Sequence, residues 1–483
     1  MEKEVINTNE SVVEVNSPLS NDAQKKKSGF SSKIGFILAA AGSAVGLGNL
    51  WRFPYLAAKY GGGLFLICYI LLAITIGFTL LVLEISIGRK TGKGVIGAFK
   101  ALNKKFKWFG YICVIVPLII VPYYCVIGGW VVKYIFSFAV GSEGLIAGAG
   151  AVDTVNFFTS FISDPWQPLI FFLIFAFLTI GIVAFGVQKG IEKMSKILMP
   201  ALAIMAVFLM IFVLCQPGAW EGVKYFIIPN FDGMTAGKFF ETILAALGQL
   251  FYSMSLAMCI MITYGSYMKK SDNIRNSARQ ISICDTAFAI VAGLIIIPAI
   301  FAFSSNPDSI LAQSGPSLMF IQLPNIFNTI PGGRIIGIVF FILVFFAALT
   351  SSISLVEAIV AVLTENGKMK RITACLIVFG AILVLGTLSS LGNGVLSNVS
   401  IMIKGKPHGI LDIFDFLANS VLMPIISIIT CIIAGWFVEK NTLTEEIGIE
   451  NNRVKKNYFN IMVKIIAPIC VFAILMSGLF ITF

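Results

Sequence analysis

An all-α integral membrane protein with about eleven transmembrane helices is the fold class that this sequence predicts. Three observations carry it. Of 483 residues, 58% are hydrophobic and 12% charged, where soluble domains carry about 25% charged residues. Mean hydropathy is +0.92. Long apolar runs recur along the chain, and a ~30 Å hydrocarbon core needs about 20 such residues per helical crossing. The 44 glycines fit as well, because membrane helices tolerate glycine at close contacts and at breaks lined by protein.

Composition also excludes function classes. The net charge is +11, but the basic residues fall in short gaps between apolar runs, with no water-exposed fold to seat a nucleic acid. Nine cysteines and the single His408 show no C-x-x-C or H-x-x-x-H spacing, so neither a metal centre nor a disulfide framework is indicated. No serine triad or phosphate-binding loop accompanies the intramembrane polar residues, so the protein is not expected to be an enzyme.

Residues 1–33 are polar and lack the apolar stretch of a cleaved signal peptide; they read as a cytoplasmic tail. Apolar helices are predicted at about 34–58, 63–88, 108–140, 167–187, 195–216, 240–268, 281–304, 334–364, 372–391, 411–438 and 460–482. This gives a membrane-embedded core over 34–438, a solvated cytoplasmic loop over 439–459 and an eleventh helix over 460–483. Lys25, Lys26 and Lys27 precede the first helix, and Arg89, Lys90, Lys93, Lys100, Lys104, Lys105 and Lys107 follow the second. The bias recurs in alternate loops, which places the N-terminus in the cytoplasm and Phe483 outside a cell membrane crossed many times. The outer loop 305–333 holds an apolar piece around Ile310–Leu323, open to two readings, a re-entrant lid or proline-bounded turns.

Two helices are interrupted. The first contains Ala41-Gly42-Ser43-Ala44-Val45-Gly46-Leu47-Gly48-Asn49, with three glycines and two polar side chains where hydrocarbon is thickest. Unwinding there is tolerated only where the freed backbone lines a cavity and can serve as ligand. In the corresponding helix of the second half, Gln249, Ser253, Ser255 and Thr263 interrupt another run, and such paired interruptions mark the site of inverted-repeat transporters. Helix eight carries Thr350-Ser351-Ser352, whose hydroxyls either bond back to their own helix or offer hard oxygen ligands to a small cation. Asp285 lies inside the seventh helix, where a carboxylate costs roughly 2.5–3.5 kcal/mol, so it needs a cation, a proton or a hydrogen-bond network. Glu84 and Glu357 read as structural.

The run Gly42-Ser43-Ala44-Val45-Gly46-Leu47-Gly48-Asn49-Leu50-Trp51-Arg52-Phe53-Pro54-Tyr55, followed by Gly61-Gly62-Gly63, resembles the neurotransmitter:sodium symporter family, prokaryotic amino-acid transporter branch. Further matches lie at Glu84 to Arg89, Tyr123-Tyr124, Gln249 to Ser255, Thr263 to Tyr267, Ala347 to Ser352 and Asp412 to Phe416, so the likeness spans about 28 to 438.

The resemblance implies two inverted five-helix repeats, helices 1–5 and 6–10 with helices 1 and 6 interrupted, plus an eleventh helix. It implies sodium-coupled symport of a neutral hydrophobic or aromatic amino acid by alternating access. One sodium ion would use the carbonyls of Gly42, Val45 and Ala347 with the hydroxyls of Thr350 and Ser351. Another would use Ala44, Asn49, Ser253, Asp285 and the substrate carboxylate. Gly46 leaves room for that carboxylate, where amine-carrying relatives place an aspartate. The carboxylate would accept from the amides of Leu47 and Gly48 and from Tyr124, and the ammonium would meet carbonyls at Ala44, Tyr252 and Ser253 and the hydroxyl of Ser255. Ile120, Tyr124, Tyr252, Met258, Ser351 and Leu355 would line the side-chain pocket. Arg52 with Asp415, under the Tyr252 lid, would form the outer gate, and Lys27 with Glu365, below Phe30, the inner one.

The sequence departs from the family at several points. Lys27 stands for a common arginine and lacks its bidentate fork. Tyr252 and Ser253 replace phenylalanine and threonine. Asp285 stands where many relatives carry asparagine, and Ala289 where chloride-dependent members have a serine, so the expectation is transport without chloride, with Asp285 as the fixed negative charge and a candidate proton carrier on the return step. Two other readings remain open: a proton-coupled carrier using Asp285, Glu84 or Glu357, and a membrane amino-acid receptor that does not transport. Partners are the amino acid and the lipid bilayer, with no nucleic acid; the sequence assigns no oligomeric state.

Overall fold

The computed structural model describes residues 29–146, 152–231, 233–304, 307–311, 316–330, 332–367, 369–403 and 405–480. Lys27, the tail before Gly29 and Phe483 lie outside the described residues.

Among the described residues, eleven helical crossings follow one another. Nine are unbroken: Gly63–Thr91, Lys104–Val140, Gln167–Ala184, Val187–Leu214, Ile274–Phe303, Gly333–Thr364, Arg371–Leu391, Ile410–Phe437 and Arg453–Phe480. The first crossing is a bent pair, Lys33–Ala44 and Gly48–Lys59, whose halves meet at 50°. The sixth is likewise divided, into Ala236–Ser253 and Ile260–Tyr267. Broken members thus open both the first five crossings and the next five, with the eleventh appended.

Some crossings begin before their apolar runs. The seventh starts at Ile274, capped by the Asn273 side chain, which accepts from the amide of Asn276, and the eleventh starts at Arg453, capped by Asn452. Their first two turns carry Arg275, Arg279, Lys455 and Lys456; turns that project into water give no hydropathy signal, and Asn at the N-cap supplies the start instead. The segment 439–459 also holds a short helix, Thr442–Ile447.

The two breaks are made differently. In the first crossing the helix ends at Ala44, and Val45 turns extended with φ −77° and ψ 91°. In the sixth, three side-chain-bearing residues occupy the left-handed region, Ser255 at φ 52°, Ala257 at 60° and Cys259 at 65°, a conformation that is uncommon outside glycine. Glu84 of the second crossing holds this segment: its Oε1 accepts from the amide of Ala257 at 2.7 Å. The second crossing lies close enough to do so because of Gly88, where an added Cβ would stand 1.9 Å from the carbonyl oxygen of Ile262.

Outside the bundle, Leu318–Gln322 continues into the helix Leu323–Thr329, with Leu318, Met319, Phe320 and Ile321 buried. It lies against the third crossing, where the Tyr134 hydroxyl donates to the carbonyl of Phe320 at 2.6 Å and Trp130 packs edge-on to the Phe320 ring. The segment is therefore helical and packed on the third crossing rather than a run of proline-bounded turns. A small antiparallel hairpin pairs Ile401 with His408 and Ile403 with Lys406.

Candidate substrate and ion site

The two breaks face each other across a narrow cavity of about 20 Å³. Ala44, Leu47, Gly48, Ile120, Tyr124, Tyr252, Ser253, Ser255, Met258, Ser351 and Leu355 all line it, joined by Ser43, Gly46, Asn49 and Ile260. The structure thus gathers residues from the first, third, sixth and eighth crossings at one place. One wall is apolar, made by Ile120, Met258, Ile260 and Leu355. The opposite wall is unwound backbone, which offers the few convergent polar groups that orient a small ligand.

Gly46 sits at the centre of that wall. A Cβ there would lie 2.6 Å from Ser351 Oγ and 3.1 Å from the Tyr124 hydroxyl, so only glycine admits this approach. The amide of Leu47 donates to the Tyr124 hydroxyl at 3.3 Å, and the amide of Gly46 donates to Asn49 Oδ1 at 3.2 Å. The Ser255 hydroxyl donates to the carbonyl of Ser43 at 2.9 Å, which ties one break to the other. Gln249 Nε2 donates to the carbonyl of Gly48 at 3.0 Å.

Beside the cavity lies a cluster of oxygen atoms. Asn49 Nδ2 donates to Asp285 Oδ1 at 2.9 Å and to Ser253 Oγ at 3.0 Å, and Ser253 Oγ donates to the same Oδ1 at 2.7 Å. The Tyr69 hydroxyl donates to Asp285 Oδ2 at 3.1 Å. Asp285 is fully buried, and among the described residues no basic side chain pairs with it. A buried carboxylate surrounded by neutral oxygen and amide groups suits a small hard cation. Tyr69 escaped the sequence reading, since a tyrosine in an apolar run reads as packing and only its polar tip carries the role.

A second oxygen-rich contact joins the first and eighth crossings. Thr350 Oγ1 donates to the carbonyl of Ala347 at 3.1 Å, and Ser351 Oγ donates to the carbonyls of Ser43 and Gly42 at 3.1 and 3.4 Å. A Cβ on Gly42 would lie 3.2 Å from Thr350 Cβ, so the two backbones approach closely here. The donor set is again carbonyl and hydroxyl oxygen, as a sodium ion requires.

On the outer side Tyr252 separates two spaces, lining both the central cavity and a vestibule that Arg52, Phe251 and Asn419 also line. The Arg52 guanidinium lies 5.6 Å from the centre of the Tyr252 ring. Asp415 accepts from Tyr123 at 3.0 Å and from Asn419 at 2.6 Å. Arg52 and Asp415 form no ion pair among the described residues.

On the inner side Phe30 is buried in an aromatic cage of Phe36, Tyr264 and Tyr267. Lys27, named for the inner gate, lies outside the described residues. Glu365 packs against the short helix Val95–Leu102, where Cβ atoms at Gly94 and Gly97 would meet its carboxylate. Below the cage Glu357 accepts from Tyr267 at 2.7 Å and forms a buried ion pair with Arg371. Glu192 accepts from Ser31 Oγ at 2.5 Å and from Lys196 at 2.7 Å. Neither Glu192 nor the Arg371 partner of Glu357 was evident in the sequence: Ser31 and Glu192 are 161 positions apart, and Glu357 and Arg371 lie on successive crossings, facing each other across the turn between them.

The sodium:neurotransmitter symporter family matches over residues 27–142 and 158–482. An uncharacterised sodium-dependent transporter of Bacillus subtilis, YhdH, is 36% identical over 94% of this chain and 98% of its own. The mouse sodium- and chloride-dependent GABA transporter 2 is 27% identical over 71% of this chain and 63% of its own. Among solved structures, MhsT in complex with L-phenylalanine superposes with a TM-score of 0.83 at 37% identity, covering 94% of this chain and all of that one. With a matching family over most of its length and a relative this similar from end to end, the chain belongs to the sodium:neurotransmitter symporter family.

Proposed function

We propose that this protein couples sodium entry to the uptake of a neutral hydrophobic or aromatic amino acid, by alternating access and without chloride. The observation that carries the reading is the buried Asp285–Asn49–Ser253 cluster at the edge of a cavity lined by two helix breaks. Asp285 supplies the charge that a sodium ion balances, and Asn49 and Ser253 supply neutral oxygen. The Gly42, Ala347, Thr350 and Ser351 contact is the second sodium position. The substrate carboxylate meets the amides of Leu47 and Gly48 and the Tyr124 hydroxyl, where the half-helix beginning at Gly48 presents its positive end. Its side chain lies against Ile120, Met258, Ile260 and Leu355.

The relative MhsT crystallised with L-phenylalanine supports an amino-acid substrate, and Ala289 in place of a serine supports chloride independence. Tyr252 acts as the outer lid and Phe30 as the inner plug. The basic loops orient the chain with its N-terminus in the cytoplasm and its C-terminus outside.

Uptake of labelled amino acids into proteoliposomes, under an inward sodium gradient against an equal potassium gradient, tests the reading. Sodium-driven accumulation of one apolar amino acid is expected. Accumulation that follows a proton gradient with sodium absent overturns the sodium assignments, and binding without accumulation would make the protein a receptor.

A further inference from the structure

Away from the central cavity, a groove of about 650 Å³ opens at the basic end of the molecule, between the second, seventh and eleventh crossings. Its polar lining includes Arg275, Arg279 and Lys455, with Asn273 and Asn276, and its floor is apolar, with Phe78, Val82, Ile447 and Phe459 among the side chains. No acidic side chain lines it among the described residues. The Nε of Arg275 is buried there without a hydrogen-bond partner, and Arg279 meets only the neutral Asn276, at 3.1 Å. Three cations gathered without a counter-charge, one carrying an unsatisfied buried donor, call for an anion.

The apolar floor says what kind of anion. Moving from the groove toward the bilayer, the second crossing exposes Ile74 and Leu71, the seventh exposes Ile283 and the eleventh exposes Ile461 and Ile465. These surfaces continue the groove into the hydrocarbon region, so a ligand whose headgroup meets the arginines would lay its chains along them. Basic pockets between crossings on the cytoplasmic side are where anionic headgroups dock. We infer that this groove binds an anionic phospholipid of the inner leaflet, with its phosphate between Arg275, Arg279 and Lys455.

The test is native mass spectrometry and thermal melting of the purified protein in detergent, titrated with phosphatidylglycerol or with phosphatidylcholine of the same chains. The expected result is retention of phosphatidylglycerol and a larger melting shift with it than with phosphatidylcholine. The triple variant R275Q/R279Q/K455Q should bind phosphatidylglycerol roughly hundredfold more weakly, three charges being removed near the headgroup. It should keep the melting shift given by the transported amino acid, which shows that it folds. If the triple variant cannot be purified, R279Q alone, at an exposed position, should reduce the lipid preference. Equal binding of the two lipids, or an unchanged preference in the variants, overturns the inference. Glycerol phosphate in solution reproducing the shift with the same dependence on the three residues would replace the lipid by a soluble anion and overturn it too.

Discussion

Asn49, from the break in the first crossing, and Asp285, from the middle of the seventh, are joined by a 2.9 Å hydrogen bond although 236 positions separate them. Ser253 of the sixth crossing closes the triangle, 2.7 Å from the same carboxylate oxygen. One cation at this point would therefore tie both repeats together, and removing its fixed charge should be felt in ion binding first. Asp285→Asn is expected to raise the sodium concentration for half-maximal uptake by roughly 10–100-fold, the range for losing a charge-assisted contact of about 1.5–3 kcal/mol. Tyr69→Phe, which removes a neutral donor, should change it by only about 2–10-fold. Uptake in gluconate medium should equal that in chloride for the unaltered protein; a strong chloride requirement in sodium titrations would remove Asp285 from its proposed role.

Gly46 admits no side chain, since a Cβ there would stand 2.6 Å from Ser351 Oγ. Gly46→Asp adds both bulk and a negative charge beside the position proposed for the substrate carboxylate, and like charges brought together cost several kcal/mol. Uptake of a neutral amino acid should fall at least roughly hundredfold. Direct binding assays of amino acids against their decarboxylated amines should show the amine losing least.

The Glu357–Arg371 pair lies beneath Tyr267, whose hydroxyl donates to Glu357. Glu357→Gln leaves a mostly buried guanidinium with a neutral partner, and breaking a buried pair from one side costs about 3–5 kcal/mol. Melting in detergent should drop by several degrees. The double variant Glu357→Gln/Arg371→Met should recover much of that loss, whereas additive losses would show that the two side chains act separately.

Glu446, in the short helix outside the membrane, carries a linked charge cluster: it meets Arg89 at 2.6 Å and Lys270 at 2.7 Å. Partial burial alone would raise its carboxyl, but Lys270 and Arg89 prevail and hold it below the usual glutamate value. A depressed folded-state value means that this stabilisation is present above the ordinary glutamate range near pH 4.5 and is lost as pH falls through the lower folded value. The melting temperature of the unaltered protein should therefore fall more steeply below pH 4.5 than that of Glu446→Gln. Parallel pH curves for the two proteins would contradict it.

Much of this arrangement is legible in the sequence because the bilayer makes polar residues conspicuous. Asn49, Ser253 and Asp285 interrupt apolar runs, and the structure brings them into contact. What stayed hidden has a shared physical cause. Tyr69 and Tyr267 hide a hydroxyl on an apolar body, so hydropathy counts them as packing. The starts of the seventh and eleventh crossings lie in water and are set by Asn273 and Asn452, which periodicity cannot register. Ser255, Ala257 and Cys259 give no local sign that they adopt left-handed backbone, since the conformation is imposed by Glu84 and by neighbouring crossings.

That last segment sets how the sixth crossing can move. A glycine hinge would bend freely in many directions, whereas side-chain-bearing residues held at positive φ have few other conformations of similar energy. Straightening the segment into continuous helix would relieve those residues but would strip the Glu84 carboxylate, buried and 2.7 Å from the Ala257 amide, of its donor. The break is thus a latched elbow rather than a flexible joint. Any swing of its two half-helices would therefore turn them as stiff arms about a pivot fixed to the second crossing, and would have to carry that crossing along or unfasten a single carboxylate.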